Sequence, residues 1–225
     1  MKLQTAIDRV TCEEAESLIK ELRGVTDIVE IGTSLIKEFG LVGSVAPLCE
    51  KFPDICFLAD IKTCDEAAYE FDKCYEAGAH IATCMGFSSD ASLRACEESA
   101  AKWGRDWMID LMELPDERVR TLAKKYPSAV FGIHLSFDNQ GGEIRELVSK
   151  QAGLIHEAEK EDGIRRRIAA AGGIKEQLVP ELAACGIDIV IAGSAVVKGS
   201  NVHAAAEAIF RGCHKGEGRP EGGNP

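Results

Sequence analysis

Hydrophobic and polar positions follow two periods along this chain. Short apolar, β-branched runs recur at LQTAI (3–7), DIVEIG (27–32), CFLADIK (56–62), HIATCMG (80–86), WMIDLM (107–112), AVFGIHL (129–135), RIAAAGG (167–173) and IVIAGS (189–194). Runs this short, closed by glycine or charge, predict strands. Between them CEEAESLIKELRG, DEAAYEFDKCYEAGA, DASLRACEESAAKWG, DERVRTLAKKY and GIKEQLVPELAACG carry helical spacing with a charged face. Start signals agree: Thr11 stands three residues before Glu14, and Ser89-Asp90 precedes ASLRACEE. Strand and helix therefore alternate throughout. Eight regularly spaced units without a large insertion predict the α/β class and a single (β/α)8 TIM barrel over residues 1–213, with a doubly wound sheet as the alternative. The long, charged segment from Gly141 to Arg167 predicts a helix with a mobile loop over the sixth strand. The tail 214–225, ending GEGRPEGGNP, has no apolar anchor and is predicted to be disordered.

Charge narrows the partners. With 26 Lys and Arg against 37 Asp and Glu, the formal net charge is -11, which argues against nucleic acid or an acidic membrane as a partner. MKLQTAIDRV reaches Asp8 before any long apolar run, so no signal peptide is expected and the cytoplasm is the expected location. The nine cysteines form no CxxC pair and no Cys/His ligand spacing, so reduced thiols are expected rather than disulfides or zinc.

The stretch LADIKTCD (58–65) brings candidate chemistry into the pattern. Asp60 and Lys62 are two apart on a strand and so share a face. Opposite charges on an inward face are either a salt bridge at the strand end or part of a site. Catalytic groups of such barrels gather where strands end. That rim here collects Asp8, Glu30, Asp60, Lys62, Gly86, Asp110, His134, Gly172, Gly173, Gly193 and Ser194. If Asp8, Glu30, Asp60 and Asp65 share one mouth, only Lys62 opposes them. Like charges about 4 Å apart repel by about 4 kcal/mol at an effective dielectric near 20. Such a mouth favours a cation, and an incomplete carboxylate set from Glu30 and Asp60 suits Mg2+. A protonated carboxylate is the alternative. AAGGI (170–174) and IAGSAV (191–196) put small residues after strands seven and eight, where backbone N–H groups hold phosphate in this architecture. His134, ending FGIH, is a candidate acid or base.

With these residues in place, the chain resembles the orotidine monophosphate decarboxylase superfamily, in its branch of 3-hexulose-6-phosphate synthases and 3-keto-L-gulonate-6-phosphate decarboxylases. The resemblance spans roughly residues 1–210, through MKLQTAID, DIVEIGTSLI, LADIKTCD, AGAHIATCMG, the His134 segment, AAGGI and IAGSAV. It implies a homodimeric barrel with shared active sites, Mg2+, a small phosphorylated sugar as substrate and an enediolate intermediate. By position, Glu30 and Asp60 resemble metal ligands and Asp8 a sugar-binding group. Lys62 resembles a charge stabiliser or proton donor, His134 the proton-transfer residue, and Asp65 a group reaching the neighbouring subunit's site. Gly86, Gly172, Gly173, Gly193 and Ser194 fall at substrate-binding positions. Leu135 and Phe137 stand where the decarboxylase pattern carries arginines, and Ala171 and Ser194 where it carries Thr and Arg. These details imply the synthase, condensing formaldehyde with ribulose 5-phosphate or reversing that step, over the decarboxylase. His134-Leu135-Ser136-Phe137 and QGGE also depart from the synthase pattern, which leaves another pentulose or hexulose phosphate open. A noncatalytic phosphosugar-binding barrel is the reading from another class.

Overall fold

The structure is a computed structural model and describes residues 1–136, 138–139 and 143–215. Its elements run β1 (Lys2–Ile7), α1 (Cys12–Leu22), β2 (Ile28–Ile31), α2 (Thr33–Gly43), α3 (Val45–Lys51), β3 (Cys56–Thr63), α4 (Ala67–Glu76), β4 (Ile81–Met85), α5 (Asp90–Trp103), β5 (Asp106–Asp110), α6 (Asp116–Lys125), β6 (Val130–His134), α7 (Ile144–Asp162), β7 (Arg167–Ala171), α8 (Val179–Ala184), β8 (Ile189–Ala192), α9 (Ser194–Val197) and α10 (Val202–Cys213). The strands are parallel and close in sequence order, β8 pairing back to β1. The eight apolar runs are the eight strands, and the closed barrel excludes the doubly wound sheet.

Helix starts follow the local signals. Thr11 and Glu14 form a reciprocal cap: the Thr11 hydroxyl accepts from the Glu14 N–H at 3.1 Å, and the Glu14 carboxylate from the Thr11 N–H at 2.8 Å. The Ser89 hydroxyl accepts from the Ser92 N–H at 3.0 Å, opening α5. The helix expected after the sixth strand is α7. Residues 141–142 of the segment expected to hold the mobile loop lie outside the described residues, as do 137, 140 and 216–225.

Period two along the strands builds both the core and the site. The barrel interior is filled by Ile28, Leu58, Ile81, Met108, Val130, Ala169 and Ile189. Two residues further on, the same inward face carries Glu30, Asp60, Thr83, Asp110, Gly132, Ala171 and Ile191, which line a cavity at the carboxyl rim. The apolar layer closes the floor beneath them. Residues between, such as Val29, Ala59, Ile109 and Phe131, face outward and pack under the helices. On β1 the core level is taken by Gln4, fully buried, whose amide reaches up to Glu30. No helix among the described residues is long and apolar enough to cross a membrane.

Candidate active site

A cavity of about 910 Å³ opens at the carboxyl rim. Asp8, Glu30, Asp60, Lys62, His134, Gly172, Gly173, Gly193 and Ser194 all line it. Asp60 is held by three side chains. Its Oδ1 accepts from the Thr83 hydroxyl at 2.8 Å, and its Oδ2 accepts from Thr33 at 2.6 Å and lies 3.1 Å from the Lys62 Nζ. Lys62 reaches Asp110 Oδ2 at 2.8 Å, and the same oxygen lies 2.8 Å from His134 Nδ1. The Met112 N–H donates to the other Asp110 oxygen at 2.9 Å. Asp60, Lys62, Asp110 and His134 thus form one continuous polar chain drawn from β3, β5 and β6. The Gln4 Nε2 donates to Glu30 Oε2 at 2.6 Å, while the buried Gln4 Oε1 has no hydrogen-bond partner among the described residues. Asp8 accepts from the Ser34 hydroxyl at 2.6 Å and the Ser34 N–H at 3.1 Å.

Electrostatics divide these groups. Burial, then the nearby Asp60 charge, pushes the Glu30 carboxyl from its ordinary 4.5 up to about 8, against the Gln4 hydrogen bond. Burial also acts to raise Asp110, but the His134 hydrogen bond and the Lys62 charge outweigh it and bring the carboxyl down to about 2. For Lys62, burial acts to lower the value, yet Asp60 and Asp110 overcome it and hold the ammonium above its usual range. Lys62 is therefore a fixed positive charge, and Asp110 is ionised at neutral pH. An ionised Asp110 at Nδ1 fixes the His134 proton there and leaves Nε2 with its lone pair. Glu30 and Asp60 offer hard oxygen ligands with spare lone pairs. Among the described residues no group of three or more metal-binding side chains converges. Two carboxylates suit an ion that keeps water and substrate in its remaining positions, as Mg2+ does.

The profile of the Orotidine 5'-phosphate decarboxylase / HUMPS family matches residues 1–209. The chain belongs to that family. A 3-hexulose-6-phosphate synthase of Bacillus subtilis (strain 168) is 32% identical over 206 residues, covering 89% of this chain and 93% of its own. 3-hexulose-6-phosphate synthase 3 of Staphylococcus saprophyticus is 30% identical over 211 residues, covering 92% and 96%. The crystal structure of 3-hexulose-6-phosphate synthase from Salmonella typhimurium aligns with a TM-score of 0.81 at 28% identity, over 96% of this chain and 99% of that one. A 3-keto-L-gulonate-6-phosphate decarboxylase from Vibrio cholerae shares the fold, with a TM-score of 0.78 at 21% identity, over 95% and 97%. Membership in this family of enzymes makes the chain an enzyme, and its relatives at about 30% identity are named 3-hexulose-6-phosphate synthases.

Within this family frame, two residues singled out in the sequence do not reach the cavity. Asp65 is exposed beyond the end of β3. Gly86 sits behind the rim: its carbonyl accepts from Arg118 Nε at 2.9 Å, and a Cβ there would come within 2.6 Å of Leu114. Its lack of a side chain serves packing against α6. The charge balance also differs from the expectation, since Arg9, Lys37 and Lys198 line the cavity beside Lys62. Of the residues given no role from sequence, Asp110 matters most, and its place at a strand end was the available signal. Gln4, Thr33, Ser34 and Thr83 were missed, whereas Asp110 stood among the rim candidates without a role. Gln4 and Thr83 are polar residues inside apolar strands, a visible signal, whereas Thr33 and Ser34 acquire meaning only once β2 is packed beside β1 and β3. Gly172 adopts φ 122°, and a Cβ there would fall 2.7 Å from that of Leu135.

Proposed function

We propose that this protein is a Mg2+-dependent aldehyde-lyase that joins formaldehyde to ribulose 5-phosphate, or runs that step in reverse, in the cytoplasm. The observation that carries the reading is the Asp110–His134 pair beside the Lys62 ammonium, a base and a fixed charge on one wall of the cavity. His134 Nε2 takes a proton from C1 of the ketose, and the electron pair released passes into the carbonyl to give a 1,2-enediolate. Lys62 lies where the developing oxyanion needs a positive charge, and Asp110 steadies the imidazolium. C1 then attacks the formaldehyde carbon, forming the carbon–carbon bond, and the new alkoxide takes up a proton. Glu30 and Asp60 are the residues that would hold Mg2+, which when bound supplies Lewis-acid stabilisation of the substrate oxygens. Asp8 binds a sugar hydroxyl. The backbone of Gly172, Gly173, Gly193 and Ser194 receives the phosphate. In a homodimer Asp65 would serve the partner's mouth, a reading supported by its exposure here.

Leu135 occupies the cavity wall beside His134 where the decarboxylase pattern has a cation, so a carboxylated substrate finds no counter-charge from that side chain. The deciding assay follows formaldehyde consumption with ribulose 5-phosphate in the presence of Mg2+ or chelator, alongside carbon dioxide release from 3-keto-L-gulonate 6-phosphate. Chelator-sensitive formaldehyde loss supports the synthase. Carbon dioxide release in its absence moves the assignment to the decarboxylase.

A further inference from the structure

Strand β3 is irregular where the chemistry begins. Ala59 pairs with Ala82 and Thr63 with Cys84, so Asp60, Ile61 and Lys62 together face one residue of β4, Thr83. Inside this bulge Lys62 adopts φ 49°, a left-handed conformation that disfavours a residue with a Cβ. A bulge re-aims side chains, and here it turns Lys62 toward Asp60 and Asp110. One buried hydroxyl bonds both the Lys62 backbone and Asp60. Thr83, 3% exposed, accepts the Lys62 backbone N–H at 3.0 Å and donates to Asp60 Oδ1 at 2.8 Å. A hydroxyl has one proton, and accepting from Lys62 leaves that proton for Asp60 alone. The same atom thereby fixes the backbone that carries the ammonium and the rotamer of the carboxylate beside it.

We propose that Thr83 is a positioning residue for the reaction: its hydroxyl sets the left-handed backbone of Lys62 and the orientation of Asp60 in one step, and through them the charge that receives the enediolate. The catalytic part of this rests on the function proposed above, whereas the geometric part does not. Neither valine nor alanine supplies both hydrogen bonds, and serine does. Valine keeps the shape of threonine in the strand, so it removes the bonds without opening a cavity.

The test compares Thr83→Val, Thr83→Ala and Thr83→Ser by crystallography and by steady-state kinetics with ribulose 5-phosphate and formaldehyde. In the valine chain Lys62 is expected to leave positive φ and its Nζ to lose contact with Asp60 or Asp110. The expected kinetic result is a kcat lowered about 10- to 100-fold, the usual effect of losing a residue that orients a functional group. KM for ribulose 5-phosphate is expected to change less than kcat, because Asp8 and the phosphate-binding backbone are untouched. Serine restores most of the kcat. A valine chain that keeps Lys62 at positive φ with both contacts intact overturns the proposal, as does a kcat loss that serine does not rescue. Should valine fail to fold, the smaller alanine carries both readouts. If the wild-type chain turns over neither substrate, the proposed reaction fails while the crystallographic comparison still decides the role of Thr83.

Discussion

Replacing Asp110 with asparagine removes one charge and forces a choice on two hydrogen bonds. Asp110 Oδ2 accepts from Lys62 and faces His134 Nδ1, while Oδ1 accepts from the Met112 N–H. An asparagine has one oxygen for these two positions. With its amide nitrogen at the Oδ2 position, it opposes the ammonium and donates to Nδ1, driving the imidazole proton to Nε2 and abolishing the base. With the amide reversed, its nitrogen meets the Met112 N–H. The stability cost follows from the fall of the Asp110 carboxyl from 3.8 to about 2. At ~1.4 kcal/mol per tenfold change in proton affinity, this corresponds to ~2.5 kcal/mol for a group this buried. The folded value is depressed, so this stability is present above the unfolded value of 3.8 and is lost as pH falls through about 2. At pH 7 the variant is therefore expected to be less stable by ~2 kcal/mol in urea unfolding. Its kcat is expected to fall about 100- to 10,000-fold, the range for losing a general base. Adding His134→Asn to Asp110→Asn changes kcat little further, because the two residues act as one unit. Turnover within about threefold of wild type, with folding intact, would refute the assignment of Asp110 as the group that sets the His134 tautomer.

Glu30 gives a second pH dependence with the opposite sign. Its folded value of about 8 lies above the ordinary 4.5, so the folded state keeps a proton that the unfolded chain releases. Stability of the metal-free protein is expected to decline between those two values as pH rises, and Glu30→Gln should flatten the decline in urea midpoints measured in chelator. Gly32→Ala places a Cβ 2.2 Å from the Asp8 carboxyl carbon, so Asp8 must swing away and KM for ribulose 5-phosphate should rise about tenfold or more in steady-state assays. A Gly32→Ala chain with unchanged KM removes Asp8 from sugar binding. Asp65→Asn and His134→Asn chains, each inactive alone, should regain about a quarter of wild-type activity when mixed as dimers, since half the dimers are mixed and each of these keeps one whole site. No recovery in a chain shown to exchange subunits places Asp65 outside the partner's site.

The strands, their order and most of the mouth were legible before folding was considered. Period-two alternation put Glu30 above Ile28 and Asp60 above Leu58, and those offsets survive closure of the barrel because neighbouring strands step in register. Asp8, Glu30, Asp60 and His134 could be named because a charged or ionisable residue ending an apolar run has few other places to go. A glycine ending such a run carries no comparable constraint, and Gly86 is taken up by packing against Leu114 and Leu122.

Which strand ends cooperate was a different matter. Regular alternation led to the right face for Lys62 but not to the bulge that aims it, because the irregularity is defined by β4 and fixed by Thr83. The partnership of Lys62 with Asp110 spans 48 positions of sequence, and that of Asp110 with His134 spans 24. Charge and periodicity are properties of short windows, so the sequence by itself determined the strands, the helices and the inward set. The choice among acidic residues, and the pKa values that separate Glu30 from Asp110, depend on distance and burial. Those exist only after the barrel closes and brings β2, β3, β5 and β6 around one cavity.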